Sequence, residues 1–364
     1  MTDDLPAFRR SQRDFERWLR ERVRVVQSDL NHKHERMAES AFAFMRATFF
    51  RWVELWPLHC PEVAVATTVL GVGDLHVDNF GTWRDAEGRL AWGINDFDEV
   101  SKVPYTNDLV RLAASALLAI DEQALDTSER RACEAILDGY TAGLEDLGQP
   151  IVLADRHGWL RELAKERLKE ESYFWQKLNE RRTAAGVPDD ARSFLLAAMP
   201  APDVEFRVVR RRGGLGSLGR ERFTALAVWR GAMIAREAKA LTTSAWHWRD
   251  AGVAHESVST AYAALLQTAI RAPDPAVEVV DGWVVRRLAA DCCRIDLASL
   301  AKKDTRKLLE MMGRETANVH LATRGSGARI LRDMIRRPND WLVDAARRMA
   351  GVVREEWEEA LRHD

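Results

Sequence analysis

The chain has 364 residues, of which 46% are hydrophobic and 30% charged, a composition typical of globular proteins. This length excludes a single small core and predicts one large domain or two lobes, each with its own interior. The net charge is only −2, so the overall balance indicates neither a nucleic-acid partner nor an anionic membrane surface.

The N-terminus and the cysteines indicate the compartment. The stretch MTDDLPAFRRSQRDFERWLRERV is charged from its first residues, and no run approaches the roughly 18 apolar residues of a membrane span. Cys60, Cys133, Cys292 and Cys293 show neither CxxC spacing nor the spacing of a disulfide framework. We therefore expect a cytoplasmic protein without a membrane partner.

Hydrophobic periodicity predicts the elements in chain order. Residues 8–57 are expected to be helical, because apolar positions recur at helical spacing in FERWLRERVRVVQ and AFAFMRATFFRWVELW. A strand-rich segment follows at 71–100, and helices are then predicted in NDLVRLAASALLAI, SERRACEAILDGYTAGLEDL and the charged run 159–182. The two prolines of AAMPAPDVE predict a domain boundary near residue 200. Beyond it, EFRVVRR, RFTALAVWRG, AMIAREAKAL and GWVVRRL are predicted strands, and helices return at 303–324 and 341–362.

The strand-rich segment GVGDLHVDNFGTWRDAEGRLAWGINDFDEV concentrates polar residues beside buried ones. It predicts a hairpin with its turn at 85–88, which would place Asn79 opposite Ile94 and bring Asp96 to the same end. Asp74 lies just upstream in the same loop. Two oxygen ligands beside a free carboxylate suit Mg²⁺, which keeps open positions for phosphate.

These motifs resemble the active sites of known phosphotransferases. In protein kinases the catalytic aspartate is followed five residues later by a metal-binding asparagine, and the aspartate of a DFG motif holds the metal from the other side. GDLHVDN and INDFDEV are similar to the GDLHxxN and IDFD motifs of aminoglycoside and choline phosphotransferases, which share the kinase fold. The resemblance implies that Asp74 is the catalytic base, Asn79 a metal ligand and Asp96 the principal metal ligand, with Asp98 as a further candidate. YTNDLVRLA resembles the DLA helix start of those enzymes, which makes Asp108 the structural aspartate.

Each of these residues also has an ordinary structural alternative. Asp and Asn are common in turns and at strand ends, and Asp108 could serve as a helix N-cap. His76 is expected to be a loop histidine bonded to backbone rather than a metal ligand. Asp78 and Glu99 are left without a role.

A glycine-rich segment, RRGGLGSLGRERF, lies between two predicted strands. Strands on both sides favour the phosphate loop of a kinase over a dinucleotide-binding fingerprint, which would open a helix. Its candidate nucleotide-binding residues are Gly214, Gly216, Ser217 and Gly219.

The next strand, AMIAREAKAL, should carry the phosphate-binding cation. A kinase-like alignment puts Arg236 at that position, whereas Lys239 is the only lysine of the strand. Residues three apart lie on opposite faces of a strand, so only one of them can point at the phosphates. Glu256 is a candidate partner of this cation. The structural alternatives are that the glycines form an ordinary hairpin loop and that Arg236 and Lys239 are solvent-facing charges on a strand.

The glycine-rich loop comes about 140 residues after Asp74 instead of before it. Circular permutation is the simplest explanation, because LLEMMGRETANVHLATRG near the C-terminus resembles the helix that directly precedes the catalytic loop in unpermuted phosphotransferases. Together the features resemble a large uncharacterised bacterial family whose members carry GDxHxxNFG, NDFDE, a later GxGSxG and a K-E-A segment. This chain departs from the pattern by having REAK where many relatives have KEA.

The expected fold is therefore α+β, a two-lobed, circularly permuted protein-kinase-like (aminoglycoside phosphotransferase-like) fold. Its parts are a helical lobe at 1–200 with the catalytic hairpin at 71–100, a β-rich nucleotide-binding lobe at 201–300, and helices at 301–364 that return to the first lobe. The expected function is ATP- and Mg²⁺-dependent phosphoryl transfer to a hydroxyl acceptor, a small molecule in preference to a protein. The alternatives are a nucleotide-binding pseudokinase or nucleotidyl-transferring protein, and more distantly a metallophosphoesterase.

Overall fold

The structure is a computed structural model that describes residues 5–153, 157–168, 171–250, 256–292 and 302–362. Cys293, one of the four cysteines, lies outside these ranges. The described residues form a mixed α and β fold with small sheets, so the α+β expectation is confirmed at that level.

Helices dominate the described residues. They are α1 Phe8–Arg20, α2 Gln27–Met37, α3 Ala41–Ala47, α4 Phe49–His59, α5 Pro61–Ala64, α6 Tyr105–Asp121, α7 Glu129–Glu145, α8 Gly158–Leu168, α9 Glu171–Asn179, α10 Asp189–Ala197, α11 Ala245–Arg249, α12 Val258–Thr268, α13 Lys302–His320, α14 Ser326–Arg336 and α15 Trp341–Arg362. The strands are β1 Thr68–Gly71, β2 Phe80–Arg84, β3 Leu90–Ile94, β4 Ser101–Pro104, β5 Arg207–Arg210, β6 Arg222–Trp229, β7 Ala232–Ala240, β8 Glu278–Val280 and β9 Trp283–Leu288.

All described sheets are antiparallel. β1 pairs with β4 and β2 pairs with β3, each as a two-stranded ribbon, while the remaining strands form a five-stranded sheet in the order β5-β6-β7-β9-β8. The glycine-rich segment connects β5 to β6, the first and second strands of this sheet along the chain, and β7 is the third. Several elements have no counterpart in the sequence-based expectations, among them strand β8 and helices α10, α11 and α14.

The β2–β3 hairpin forms, but its register differs by one residue from the prediction. Phe80, not Asn79, faces Ile94, and the hairpin closes where Asp85 and Arg89 face each other. The cause is Gly88, whose φ of +73° lies in the left-handed region, so that the loop holds one residue more than a turn flanked by 85 and 88. Asn79 consequently lies in a short 3₁₀ turn at Val77–Asn79 before the strand begins.

The largest core surrounds α6, whose residues from Tyr105 to Ala119 are all buried. Its sequence is apolar on nearly every side, which is typical of a helix enclosed by others, and it packs against α7, α13 and α15. A second core lies between α10 and the five-stranded sheet.

Two helices pack across the predicted domain boundaries. Helix α10 precedes residue 201 but covers the sheet, while α12 lies within 201–300 and buries Ala261, Tyr262 and Leu265 in the core around α6. The division into three parts at 200 and 300 stays a prediction.

Helix α13 ends beside β1. The backbone N–H of Leu70 donates to Oγ1 of Thr323 at 2.8 Å, just beyond the helix end. The segment LLEMMGRETANVHLATRG therefore ends next to the strand that leads into the Asp74 loop. Circular permutation stays a prediction.

Candidate functional site

Asp74 lies in a tight loop that is held in place by Asp108 of α6. The carboxylate of Asp108 accepts the backbone N–H groups of Val72 and Gly73 at 2.6 and 3.0 Å. Gly73 has a φ of +81°, and a Cβ there would lie 2.4 Å from the Glu99 carbonyl oxygen, so the loop needs glycine. Asp108 is thus placed as a structural aspartate; α6 begins after Pro104 without a side-chain cap, so the N-cap alternative does not apply.

A buried network extends from Asp108 to the C-terminal helices. Nε2 of His320 lies 3.0 Å from the Asp108 carboxylate, and its Nδ1 lies 2.7 Å from the Tyr140 hydroxyl. A carboxylate can only accept, so His320 donates from Nε2; in the neutral imidazole, Nδ1 then accepts the proton of the Tyr140 hydroxyl. The network ties the Asp74 loop to α7 and α13.

Asp74 forms an ion pair with Arg111, which the sequence analysis did not assign. Arg111 Nε donates to Asp74 Oδ1 at 2.9 Å, and Nη2 contacts the same oxygen. The guanidinium is fully buried and lies 4.8 Å from the ring centroids of both Phe49 and Trp52. Arg111 therefore fixes the direction in which Asp74 presents its other oxygen, Oδ2.

The environment raises the pKa of Asp74 to about 6. Burial is the largest cause, and the negative charges of Glu99 and Asp96 add to it, while Arg111 opposes them. A carboxylate with a pKa near 6 is charged at neutral pH and can still accept a proton, which suits a general base.

Asn79 lies between Asp74 and Asp96. Its Nδ2 donates to the backbone oxygens of Asp96 at 3.1 Å and Asp74 at 3.4 Å. Its Oδ1 is buried and has no hydrogen-bond partner among the described residues. A buried amide oxygen without a donor is costly, and a cation would satisfy it.

Lys239 of β7 joins the aspartates that follow β3. Its Nζ lies 2.9 Å from Asp96 Oδ1 and also contacts Asp98 Oδ1, and its side chain is 2% exposed. Burial alone would raise the pKa of Asp96, but Lys239 and a hydrogen bond with Asp98 hold it well below its ordinary value. Burial and the charge of Asp96 raise the pKa of Asp98. Asp96 is thus the carboxylate of the two that keeps its charge.

The structure brings Lys239 to the site and not Arg236. Arg236 points to the other face of β7, where its Nε donates to the backbone oxygen of Ala198 at 2.8 Å. The three-residue spacing separates the two side chains as the strand pleat requires.

Glu256 is not brought to Lys239. Its carboxylate lies 3.4 Å from Lys102 and is 37% exposed. The expected pairing is absent because Lys239 already contacts two aspartates and α12, which begins at Val258, turns Ala261 and Tyr262 into the core.

Arg220, just after the glycine-rich loop, binds the other side of the acidic segment. It donates to Asp98 at 3.2 Å and to Glu99 at 2.9 Å, and all three side chains are less than 10% exposed. Glu99 also accepts the backbone N–H of Ala245 at 2.8 Å. These contacts clamp the loop that follows Asp96 to the sheet.

The glycine-rich loop lies directly over Asp74. A Cβ on Gly216 would be 3.2 Å from Asp74 Oδ2 and 3.3 Å from the Arg46 carbonyl oxygen. Lys33 of α2 donates to the Gly216 carbonyl oxygen at 3.4 Å, and burial together with the charge of Arg220 lowers its pKa to about 8. Glycine at position 216 therefore lets the loop approach the Asp74 carboxylate without displacing its neighbours.

The other loop positions form a turn. Ser217 Oγ accepts from Arg222 Nη2 at 2.9 Å, and its backbone N–H donates to the Gly214 carbonyl oxygen at 3.2 Å. Gly219 has a φ of +96°, which permits the chain to leave the turn toward β6. All four predicted loop residues thus lie in the segment that covers the site.

Two adjoining cavities meet at Asp96 and Gly214, which line both. The smaller, bordered by Asp74, Asn79 and Asp98, has a volume of about 30 Å³, which holds about one water molecule. The larger has a volume of about 550 Å³, in the range of small-molecule sites, and lies between the five-stranded sheet and the helical body.

The oxygen ligands available here suit Mg²⁺ better than a metal ion that is coordinated by protein side chains alone. No group of three or more His, Cys, Asp and Glu side chains suited to a metal ion occurs in the described ranges. Mg²⁺ commonly binds one or two carboxylates together with substrate phosphates and water. The Asp96 carboxylate and the partnerless Asn79 Oδ1 match that smaller requirement.

Arg111 carried a sequence signal, whereas Arg220 and Lys33 did not. Arg111 is the only cation in the apolar run NDLVRLAASALLAI, and a lone arginine in a buried helix needs an anionic partner. Arg220 and Lys33 lie among many other basic residues, and only the tertiary structure distinguishes them.

Part of the chain matches a known family model. Residues 24–185 match the model of a family described as an uncharacterised protein conserved in bacteria, DUF2252. The match includes Asp74, Asn79, Asp96 and Asp108, and ends before the glycine-rich loop and Lys239. The chain is thus similar over this part to a bacterial family of unknown function.

No curated protein and no solved structure matches the chain. Within the ranges that the structure describes, no helix combines the length and apolar character needed to cross a bilayer.

Proposed function

We propose that the chain is a kinase-like phosphotransferase that uses ATP and Mg²⁺ and transfers a phosphoryl group to a hydroxyl acceptor. One observation carries the proposal: Lys239, on the third strand of the five-stranded sheet, meets Asp96 at 2.9 Å although 143 residues separate them. The lysine, the metal-type carboxylate, Asn79 and Asp74 thus share one cleft under a glycine-rich loop. Kinases use the same residue types on the corresponding elements.

Asp74 is the proposed general base. Its Oδ1 is bound by Arg111, which leaves Oδ2 toward the glycine-rich loop to accept the proton of an acceptor hydroxyl. The pKa of about 6 keeps Asp74 mostly ionised at neutral pH.

Asp96 and Asn79 Oδ1 would hold Mg²⁺, with Asp98 as a further oxygen donor. The ion supplies charge neutralisation of the phosphates. Lys239 contacts both Asp96 and Asp98, and its ammonium would be the cation that binds a phosphate oxygen. Arg220 pairs with Asp98 and Glu99 and offsets their negative charge.

The glycine-rich loop must move for a phosphate to enter, because only about 30 Å³ lies beside Asp74. In the structure the loop is held by hydrogen bonds from Lys33 to Gly216 and from Arg222 to Ser217, and by Leu215 and Leu218, which are buried in the core around α6. Loops that close over the phosphates are common in phosphoryl transfer, where they exclude water.

A thermal-shift titration with ATP, Mg²⁺ and both together tests the proposal on the wild type, Asp96→Asn and Asp78→Asn. Asp78 is a matched control, because it lies in the same loop but pairs with Arg46 at 2.7 Å. We expect Mg²⁺ to increase the rise in melting temperature that ATP causes, and this Mg²⁺-dependent increase to vanish in Asp96→Asn and persist in Asp78→Asn. A wild type that millimolar Mg-ATP leaves unshifted would contradict the proposal.

A further inference from the structure

The larger cavity has a strongly basic lining. Seven Lys and Arg side chains border it, against two aspartates, one of which is Asp96. We call it the arginine cavity and define it by Arg211, Arg222 and Arg286. Its charge distinguishes it from the mostly apolar walls that are usual for ligand pockets.

Three arginines of this cavity share a single carboxylate, that of the fully buried Glu237. Arg211 Nη1 lies 2.7 Å from Oε2, while Arg222 Nη1 and Arg286 Nη2 lie 2.7 and 2.8 Å from Oε1. Three positive charges against one negative leave the cluster with an excess of two. The pKa of Glu237 lies far below its ordinary value because these arginines outweigh the effect of burial, so the carboxylate stays charged.

The strand register fixes the cluster on the same face of the sheet as Lys239. Glu237 faces Arg286 on β9, and Arg222 faces Lys239 across the β6–β7 pair. Glu237 precedes Lys239 by two residues, so their Cα atoms are about 7 Å apart along the strand. The arginines thus extend the lysine's positive surface away from Asp74 and into the cavity.

An excess of positive charge in such a partly enclosed place favours an anionic ligand. The side chains of Arg222, Arg286 and Arg211 are 5%, 26% and 29% exposed, so water screens them only in part. Guanidinium groups bind phosphate oxygens through paired, charge-assisted hydrogen bonds. Glu237 orients the three guanidinium groups without neutralising them all.

We infer that the arginine cavity is a second phosphate-binding subsite, separate from the Asp74 centre. The inference rests on the proposed function only for the origin of the phosphate. Two sources of the bound phosphate are open. One is the terminal phosphates of the nucleotide, which would place the α-phosphate at Asp96, and the other is a phosphorylated acceptor molecule.

Binding of inorganic pyrophosphate without Mg²⁺, measured by calorimetry, tests the subsite. The variants are Arg211→Gln and Arg286→Gln, each of which leaves Glu237 with two arginines. Arg236→Gln is the matched control, since that arginine points to the opposite face of β7 and lines another cavity. We expect the wild type and the control to bind pyrophosphate alike, and each cavity variant to bind it at least tenfold more weakly. Absence of binding to the wild type, or equal binding by all four proteins, would overturn the inference.

Two further measurements identify the source. If the nucleotide supplies the phosphates, Arg211→Gln weakens ATP binding but not AMP binding. The acceptor hydroxyl then attacks the α-phosphorus, the bond to the bridging oxygen breaks with its electron pair leaving on pyrophosphate, and Asp74 takes the hydroxyl proton. Label from [α-³²P]ATP then appears in the product. If an acceptor supplies the phosphate, ATP affinity is unchanged in Arg211→Gln and pyrophosphate binds together with ATP.

Failure of the two proposals can be told apart. Asp96→Asn should abolish the Mg²⁺-dependent effect of ATP yet keep pyrophosphate binding, because Asp96 is not part of the Glu237 cluster. Loss of pyrophosphate binding in the arginine variants with intact Mg-ATP binding would uphold the subsite independently of catalysis.

Discussion

Arg111 and Asp74 form an ion pair in which the guanidinium is fully buried and the carboxylate side chain is 17% exposed. Removing one partner leaves the other charge without compensation, which typically costs about 3–5 kcal/mol for a buried pair. Arg111→Leu should therefore lower the free energy of unfolding by about that amount at pH 8, as measured by urea denaturation.

The pH dependence of this loss has a definite sign. The pKa of Asp74 is raised above its ordinary value to about 6, so the folded state binds the proton more tightly and stability falls as the pH rises toward 6. Without Arg111 the pKa should rise further, so the cost of the variant should shrink at pH 5.5, where Asp74 is protonated. The double variant Arg111→Leu/Asp74→Asn should lose this pH dependence; its persistence would contradict the pairing.

The same pKa predicts the pH profile of the proposed reaction. Turnover should rise tenfold per pH unit below about 6 and level off above it, because only ionised Asp74 accepts a proton. The measurement is release of phosphate from ATP, with water in place of the acceptor, between pH 5 and 9. Asp74→Asn should lower the rate by about 10²–10⁴ and flatten the acid limb. If the acid limb of the pH profile is unchanged in Asp74→Asn, a group other than Asp74 causes it.

Asp108 should determine the order of the Asp74 loop. Asp108→Ala leaves two backbone N–H groups and His320 without their acceptor, at a cost of about 3 kcal/mol or more. Hydrogen exchange at Val72 and Gly73 should speed up more than exchange in α15. Asp121→Asn, at the exposed end of the same helix, is the control and should change stability by less than about 0.5 kcal/mol.

Local spacing along the chain predicted much of the site. The positions of Asp74, Asn79 and Asp96 follow from a loop and a hairpin, whose geometry is determined within about 20 residues. The one-residue error in the register arose from Gly88. A glycine in the left-handed region can either end a four-residue turn or add a residue to the hairpin loop, and the sequence is the same in both cases.

Contacts between distant segments were not predictable in the same way. Arg236 and Lys239 are three residues apart on one strand, so their side chains point to opposite faces and cannot both bind the phosphates. Only the packing of the sheet on the hairpin determines which of them reaches Asp96. Glu256 was assigned from chain order alone, and its partner is Lys102. The arginines around Glu237 come from β6, β9 and the glycine-rich segment, so no single stretch of sequence contains the cluster.

Lys239 and Arg236 should differ sharply in nucleotide binding. Lys239→Met should weaken Mg-ATP binding by about tenfold or more, equal to 1.4 kcal/mol, because it removes the ammonium that contacts Asp96 and that we propose to bind the phosphates. Arg236→Met should leave the affinity within twofold, since that side chain binds Ala198 on the far face. Calorimetric titration of both variants measures the difference. Equal tolerance of the two substitutions would contradict the role of Lys239.

Gly216 should limit how closely the glycine-rich loop approaches Asp74. A Cβ there already lies 3.2 Å from Asp74 Oδ2, and the larger side chain of Gly216→Val would hold the loop away from the carboxylate. We expect turnover to fall by about 100-fold, a typical cost of misplacing a closing element, with the melting temperature nearly unchanged. Gly158→Val is the control, because a Cβ at Gly158 meets no heavy atom within 4 Å. Full activity in Gly216→Val would show that the loop does not need to close on Asp74.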